Sequence, residues 1–284
     1  MRLNLVNGFD TAFNTLGVYD LLCRYFDVHH VDYFNQPGIT IINQRDKFNP
    51  AVDGNVLFEN LWEITEGQDR TLGDARWFWV NEALWYKELR LDSYVSDKTW
   101  EHAWLIPVNL KKPWRSILIN MIKNRLDSCV WSYCAEGKEL PDSIGAASIQ
   151  SQREFNPNWW NSTGAYVSVE SSVAINQPLF PTEKTLKAFA FSSPVLIAGQ
   201  QGLLDLTRSW GFESWPELWD ESYDQIAATV PRLSAVAEII KETTITNYSK
   251  IVKEKLDHNR SLFWNQDKLV SMFEEIIVNP IMRF

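Results

Sequence analysis

The chain has 284 residues, of which 45% are hydrophobic and 22% charged, and its formal net charge is −9. That length suits one large domain or two moderate ones, and that composition excludes disorder as the default state. The acidic balance excludes a general salt-driven grip on nucleic acid, which needs a surplus of Lys and Arg.

"RLNLVN" (2–7) alternates and predicts an opening strand. Residues 11–26 carry Phe13, Leu16, Val18, Leu21, Leu22 and Tyr25 at helical spacing. "VHHVDYF" (28–34) and "GITIINQ" (38–44) predict further strands, and "GNVLFENLWEI" (54–64) begins as a fourth. Strand, helix, strand is the pattern of a parallel sheet. Residues 74–91 can form an amphipathic helix, "HAWLIPVNL" (102–110) a strand, and "KKPWRSILINMIKNRLD" (111–127) a basic helix opened by a proline. "SCVWSYCAEG" (128–137) returns to strand.

This restart near residue 100 divides the chain into 1–100 and 101–284. Residues 136–157 are polar and read as a loop or lid. "AYVSVE" (165–170) predicts a strand and "PTEKTLKAFAF" (181–191) a helix with Pro at its start and Glu183 in its first turn. "PVLIAG" (194–199) predicts a short buried strand, and "GLLDLTRSWG" (202–211) a helix ending at Gly211. The remainder to Phe284 is mostly helical in pattern. The fold expected is α/β, with two Rossmann-like halves facing a cleft and a helical C-terminal segment. Ligands in such sheets sit at the carboxyl ends of the strands.

Three cysteines, Cys23, Cys129 and Cys134, make no disulfide framework, and the C-x4-C pair lacks the second pair of a structural zinc site. No window nears the roughly 18 consecutive apolar residues of a membrane span, and "MRLNLVNGFD" has no signal-peptide core. A cytoplasmic protein with reduced thiols and no membrane partner is expected. The 14 Trp residues are unusual. Trp stacks on sugars and bases, yet for any single Trp the expectation is packing.

Chemistry concentrates at 180–202. A helix N-terminus exposes unpaired N–H groups and partial positive charge, which suits phosphate. Lys184 adds a full charge there, and Glu183 could accept from sugar hydroxyls. "GQQG" (199–202) follows the next strand at the same end. On spacing alone Pro-Thr-Glu is equally a capped helix start, since neither a Walker A nor a G-x-G-x-x-G pattern occurs. The acids of "GFESWPELWDESYD" (211–224), namely Glu213, Glu217, Asp220, Glu221 and Asp224, read as a solvated face or cap.

"YVSVESS" (166–172) followed by "PTEKTLKAFAFSSPVLIAG" (181–199) resembles the donor-site block of α-1,3-fucosyltransferases. The run from "FNPNWW" through "GLLDLTRSWGFESWPELWDESYD" is similar to glycosyltransferase-type proteins of phages and giant viruses. That likeness extends upstream through "VLFENLWE", "PVNLKKPWR" and "SYCAEGKELP", over most of 55–235. The resemblance implies a GT-B glycosyltransferase, with a donor-binding C-terminal half and an acceptor-binding N-terminal half. By position it assigns Glu183 to the ribose or sugar, Lys184 and Arg115 to the diphosphate, Glu170 to the E-x-S element, and Phe180 and Thr182 to the same block. Phe180 stands where the family usually has Tyr, and Ser171 where it has Asn, so the sugar is left open.

Glycosyl transfer builds negative charge on the departing diphosphate. Arg115 and Lys184 can stabilise it without a metal, and no D-x-D pattern occurs. No obligatory cofactor is expected, and the substrate is a GDP- or UDP-sugar. An inverting enzyme also needs a base for the acceptor hydroxyl. Glu59 and Glu63 are the candidates, with Asp53 and Asp74 as others. The acceptor is a glycan or small molecule, or a modified DNA base if the chain is viral and works in host cytoplasm. Two rivals stand beside this: a nucleotide- or sugar-binding module without turnover, and a scaffold whose Trp residues hold partners.

Overall fold

The computed structural model describes residues 2–6, 16–31, 39–42, 55–57, 74–141, 155–175 and 177–283. The chain forms two compact units, one of residues 1–93 with 264–284 and the other of residues 94–263.

The first unit holds a parallel four-stranded sheet. Its strands are β1 (Arg2–Val6), β2 (Asp27–Val31), β3 (Ile39–Ile42) and β4 (Asn55–Leu57), in the order β2-β1-β3-β4. Helix α1 (Leu16–Tyr25) connects β1 to β2, and α2 (Arg76–Glu88) follows β4. The division differs from 1–100 and 101–284 in one respect beyond a shift of a few residues: the last 21 positions belong to the first unit. The cause is an apolar face on the C-terminal helices. In α9 (Gln266–Phe273) and the turns after it, Leu269, Met272, Phe273, Ile276 and Ile277 are buried. Phe273 meets both Trp77 and Tyr25, each at 6.4 Å between ring centroids. Tyr25 donates to Glu274 Oε1 at 2.6 Å, and Arg76 pairs with Asp74 and Glu275.

The second unit holds a second parallel sheet of β5 (His102–Ile106), β6 (Cys129–Trp131), β7 (Thr163–Val169) and β8 (Val195–Ala198), in the order β6-β5-β7-β8. Each residue of β7 is buried, as a strand covered on both faces requires. This explains why "TGAYVSV" reads as a continuous run rather than an alternating one. Between β5 and β6 the chain passes through α3 (Pro113–Ile122), and between β7 and β8 through α5 (Glu183–Ala190). The first crossover moves one way along the sheet and the second the other. Right-handed crossovers therefore put α3 and α5 on opposite faces. Contacts agree: α3 packs against α7 (Thr229–Glu242), whereas α5 packs against α8 (Lys250–Phe263). The crevice between the carboxyl ends of β5 and β7 is the point where strand order reverses.

A short helix that the sequence pattern does not predict, α4 (Pro157–Ser162), precedes β7. Asn156 caps it by accepting from Asn158 N at 2.9 Å. It delivers Trp160 into an aromatic cluster, stacked on Tyr166 at 5.0 Å and edge-on to Phe191 at 5.4 Å. Trp160→Ala should cost about 3–5 kcal/mol, the range for deleting a fully buried large ring. In urea unfolding the midpoint should fall with the slope unchanged, and Trp160→Phe should recover more than half of the loss. A loss below about 1 kcal/mol would show that the cluster collapses to fill the gap.

Candidate functional site

The switch-point crevice gathers charged residues from four pieces of chain: the loop after β5, the first turn of α3, the end of β7 and the first turn of α5. Glu170, the residue after β7, is 1% exposed. Its carboxylate accepts from Ser168 Oγ (3.1 Å), Ser171 N (3.2 Å), Thr182 N (3.1 Å), Thr182 Oγ1 (2.5 Å) and Thr185 Oγ1 (2.7 Å). These donors fill both oxygens, so Glu170 orders the site from inside. Thr182 is the cap of α5, accepting from Lys184 N at 3.4 Å in the side-chain geometry expected of an N-cap. The strand end and the helix start are thereby locked through one carboxylate.

Arg115 lies in the first turn of α3 and is 3% exposed. It donates to the carbonyls of Leu110 (3.2 Å), Val169 (3.3 Å) and Glu170 (3.1 Å). Its Nε is buried and makes no hydrogen bond. Burial pulls the guanidinium below its ordinary pKa, opposed by the Glu170 and Glu183 carboxylates. Lys112, the residue before α3, donates to Ser171 O at 2.7 Å and lies 5.0 Å from the centroid of the Trp114 ring. Burial, then the charges of Arg115 and Lys184, lower its pKa. Lys184 Nζ reaches Ser171 Oγ and Thr182 Oγ1, both at 3.4 Å, and pairs closely with Glu183. Burial acts to raise the pKa of Glu183, but Lys184 and Lys187 outweigh it and hold the carboxyl below its ordinary value.

Three cations, Lys112, Arg115 and Lys184, thus stand against two carboxylates, Glu170 and Glu183. The N-termini of α3 and α5 lie at the same end and carry partial positive charge. The charges of Arg115 and Lys184 both act on Lys112, so these side chains share one region of positive field. Such an excess of positive charge in a half-dry crevice can hold a dianion.

The sequence-predicted donor residues Arg115, Glu170, Thr182, Glu183 and Lys184 are therefore neighbours. Phe180 is 3% exposed, and its backbone N donates to Gln200 Oε1 at 3.4 Å. Its ring is a packing group. The candidate bases Glu59 and Glu63, and Asp53, lie outside the described residues. Asp74 is described, and Arg76 grips its carboxylate through Nε and Nη2.

Two residues have structural roles that the sequence reading did not assign. Gln200 is buried and donates to the carbonyls of Ala174, Gln177 and Pro178 at 3.0–3.3 Å, so "GQQG" clamps the loop beside the crevice. A side chain at Gly199 would meet Leu203 Cδ1 at 2.6 Å and Glu170 Cβ at 3.1 Å, so Leu203 would have to move to admit one. Arg232, buried in α7, donates to the carbonyls of Gly199, Ile226, Ala227 and Val173 at 2.6–3.1 Å. Arg232 carries no local motif, "GQQG" marks Gln200 without naming its partners, and only the fold reveals what the two join.

The acidic run 211–224 is structural. Glu221 accepts from Trp215 N and Ser214 Oγ and pairs with Arg208, while Glu217 pairs with Lys255. Asp224, 2% exposed, accepts from Leu204 N at 3.2 Å at the start of α6 (Leu203–Ser209). Burial pushes its pKa from 3.8 up to about 6. The folded chain therefore keeps a proton that the unfolded chain loses. Stability from this group should fall as pH rises between about 4 and 6, by on the order of 2–3 kcal/mol. Asp224→Asn should remove that term. The difference in melting temperature between wild type and variant should grow across this window, and a constant difference would refute it.

Among the described residues no helix is long and apolar enough to cross a membrane. No family model, no curated protein and no solved structure matches the chain.

Proposed function

We propose that the chain is a glycosyltransferase that moves a sugar from a nucleotide-sugar, a GDP- or UDP-sugar, to an acceptor hydroxyl. The observation that carries this reading is the cluster of Lys112, Arg115 and Lys184 at the switch point between β5 and β7, with Glu170 ordering it. The resemblance of "YVSVESS" and "PTEKTLKAFAF" to the fucosyltransferase donor block supplies the reaction class. In this reading the two units are the acceptor and donor halves of a GT-B enzyme.

Transfer places growing negative charge on the departing diphosphate. Lys184 and Lys112 meet that charge directly, and Arg115 adds to the field from behind them. These cations act without a metal. Inversion at the sugar carbon needs a base from the first unit, and Glu59 and Glu63 are proposed for it. The acceptor is a glycan or small molecule, or a hydroxylated DNA base in a viral setting, and the setting is cytoplasmic. A non-catalytic nucleotide- or sugar-binding module is the second reading. It is favoured by Phe180, which offers no hydroxyl, and by the engagement of Asp74 with Arg76.

Thermal unfolding against nucleoside diphosphates and nucleotide-sugars, with and without Mn²⁺, tests the reading. A ligand at about 100 times its dissociation constant stabilises by roughly 2.7 kcal/mol. A shift with one nucleotide, followed by turnover of its sugar conjugate, is the expected result. A shift without turnover would select the binding module, and no shift with any nucleotide or nucleotide-sugar would overturn the transferase and the nucleotide-binding form of the module.

A further inference from the structure

We propose that Trp114 is the stacking platform for the nucleobase of the bound nucleotide; this rests on the donor-site reading above. Trp114 is the second residue of α3, directly before Arg115. Its neighbours in sequence, Lys112 and Arg115, both reach the end of β7. The indole itself is only partly buried. It is held at one edge, where Nε1 donates to Glu170 O at 3.4 Å. That bond fixes the ring at the rim of the cation cluster. Lys112 lies against the ring, 5.0 Å from its centroid, in the cation–π position. A partly buried indole beside an anion site leaves part of its ring surface open to a ligand.

The chemistry of the surroundings selects a base over a sugar. A sugar ring needs hydroxyl partners around the indole. The polar groups beside Trp114 are already engaged: Glu170 O by Arg115 and by Trp114 itself, Ser171 O by Lys112, and Glu183 by Lys184. Leu110, whose carbonyl accepts from Arg115, is 53% exposed at the same end of α3. An indole and an aliphatic side chain next to cations fit a flat, π-faced group joined to a dianion. Every nucleobase offers such a face, so stacking supplies affinity without choosing among bases. Lys112 has a second partner in Ser171 O, so it can leave the ring for the phosphates when the base arrives.

The test compares wild type, Trp114→Ala and Trp114→Phe by calorimetric titration with three probes: inorganic pyrophosphate, a nucleoside diphosphate and its nucleotide-sugar. Pyrophosphate has charge but no base. Its affinity should change less than about threefold, since the alanine substitution removes no charge. Nucleoside diphosphate affinity should fall about five- to 150-fold in Trp114→Ala, the measured range for one base stacked on one aromatic side chain. Trp114→Phe should restore most of it. A parallel fall for pyrophosphate and nucleotide would make Trp114 a support for Lys112 and overturn the platform. A loss confined to the nucleotide-sugar would assign the indole to the sugar and overturn it equally. Wild-type protein that binds neither pyrophosphate nor nucleotide would sink the donor-site reading itself, an outcome visible before any variant is made.

Discussion

Replacing Glu170 with Ala should be among the most destabilising single substitutions in the second unit, costing roughly 3–5 kcal/mol. The carboxylate is 1% exposed and is the common acceptor for Ser168, Ser171, Thr182 and Thr185. Alanine would leave two backbone N–H groups and the hydroxyls of Ser168 and Thr182 without that acceptor, while Thr185 keeps Ser168 Oγ at 2.9 Å, and it would remove a carboxylate whose charge supports the buried Arg115. Each unsatisfied donor costs about 1–3 kcal/mol where water cannot reach it, though the hydroxyls can turn to recover part of this. Glu170→Gln separates charge from shape. It keeps the volume and one acceptor oxygen but points an N–H₂ group at donors, so it should cost about half as much. A double-mutant cycle of Glu170→Gln with Thr182→Val should show coupling above about 1 kcal/mol, because the two residues share a network. Independent, additive losses would mean that Glu170 is an ordinary buried acid and not the lock between β7 and α5.

Much of this lock was legible in the chain. "YVSVESS" places Ser168 and Glu170 two residues apart, on one face of a strand. "PTEKT" places Thr182 and Thr185 three apart, on one face of a helix. What the sequence could not show is that these two faces meet, because that depends on the crossover between β7 and β8. Strand and helix positions were readable for a related reason: buried apolar runs and a proline-opened helix are local signals. The helix α4 was hidden because "NWWNS" is too short to show a period, and its signal was a capping Asn156 followed by Pro157. Arg232 and Gln200 were hidden because their partners are backbone carbonyls, which leave no mark in sequence. The return of the C-terminal helices to the first unit was hidden for the same reason that any long-range packing is. An amphipathic helix announces that it needs a partner and does not say which.

Lys184→Ala should weaken nucleoside diphosphate binding on the order of 100-fold while leaving the fold intact. Truncating one member of a close, partly buried charge pair costs about 2–5 kcal/mol in binding. Lys184 carries such a charge at the first turn of α5, with its side chain 16% exposed. The same substitution changes the fate of Glu183. In the wild type the neighbouring ammonium outweighs burial and keeps the carboxyl below its ordinary pKa. A depressed folded pKa adds stability above the unfolded value, and that stability is lost as pH falls through the folded pKa. With Lys184 gone, burial is opposed chiefly by Lys187, and the carboxyl should rise. The variant should therefore lose its stabilisation near neutral pH and differ least from wild type in acid. Lys184→Arg keeps the charge, so it should retain binding within about tenfold and preserve the wild-type pH profile, although a guanidinium does not reproduce every ammonium contact. Equal binding by wild type and Lys184→Ala would remove the diphosphate from this crevice, whatever the pH profile shows. Weak binding with an unchanged pH profile would leave the ligand contact standing and sever it from the Glu183 pair.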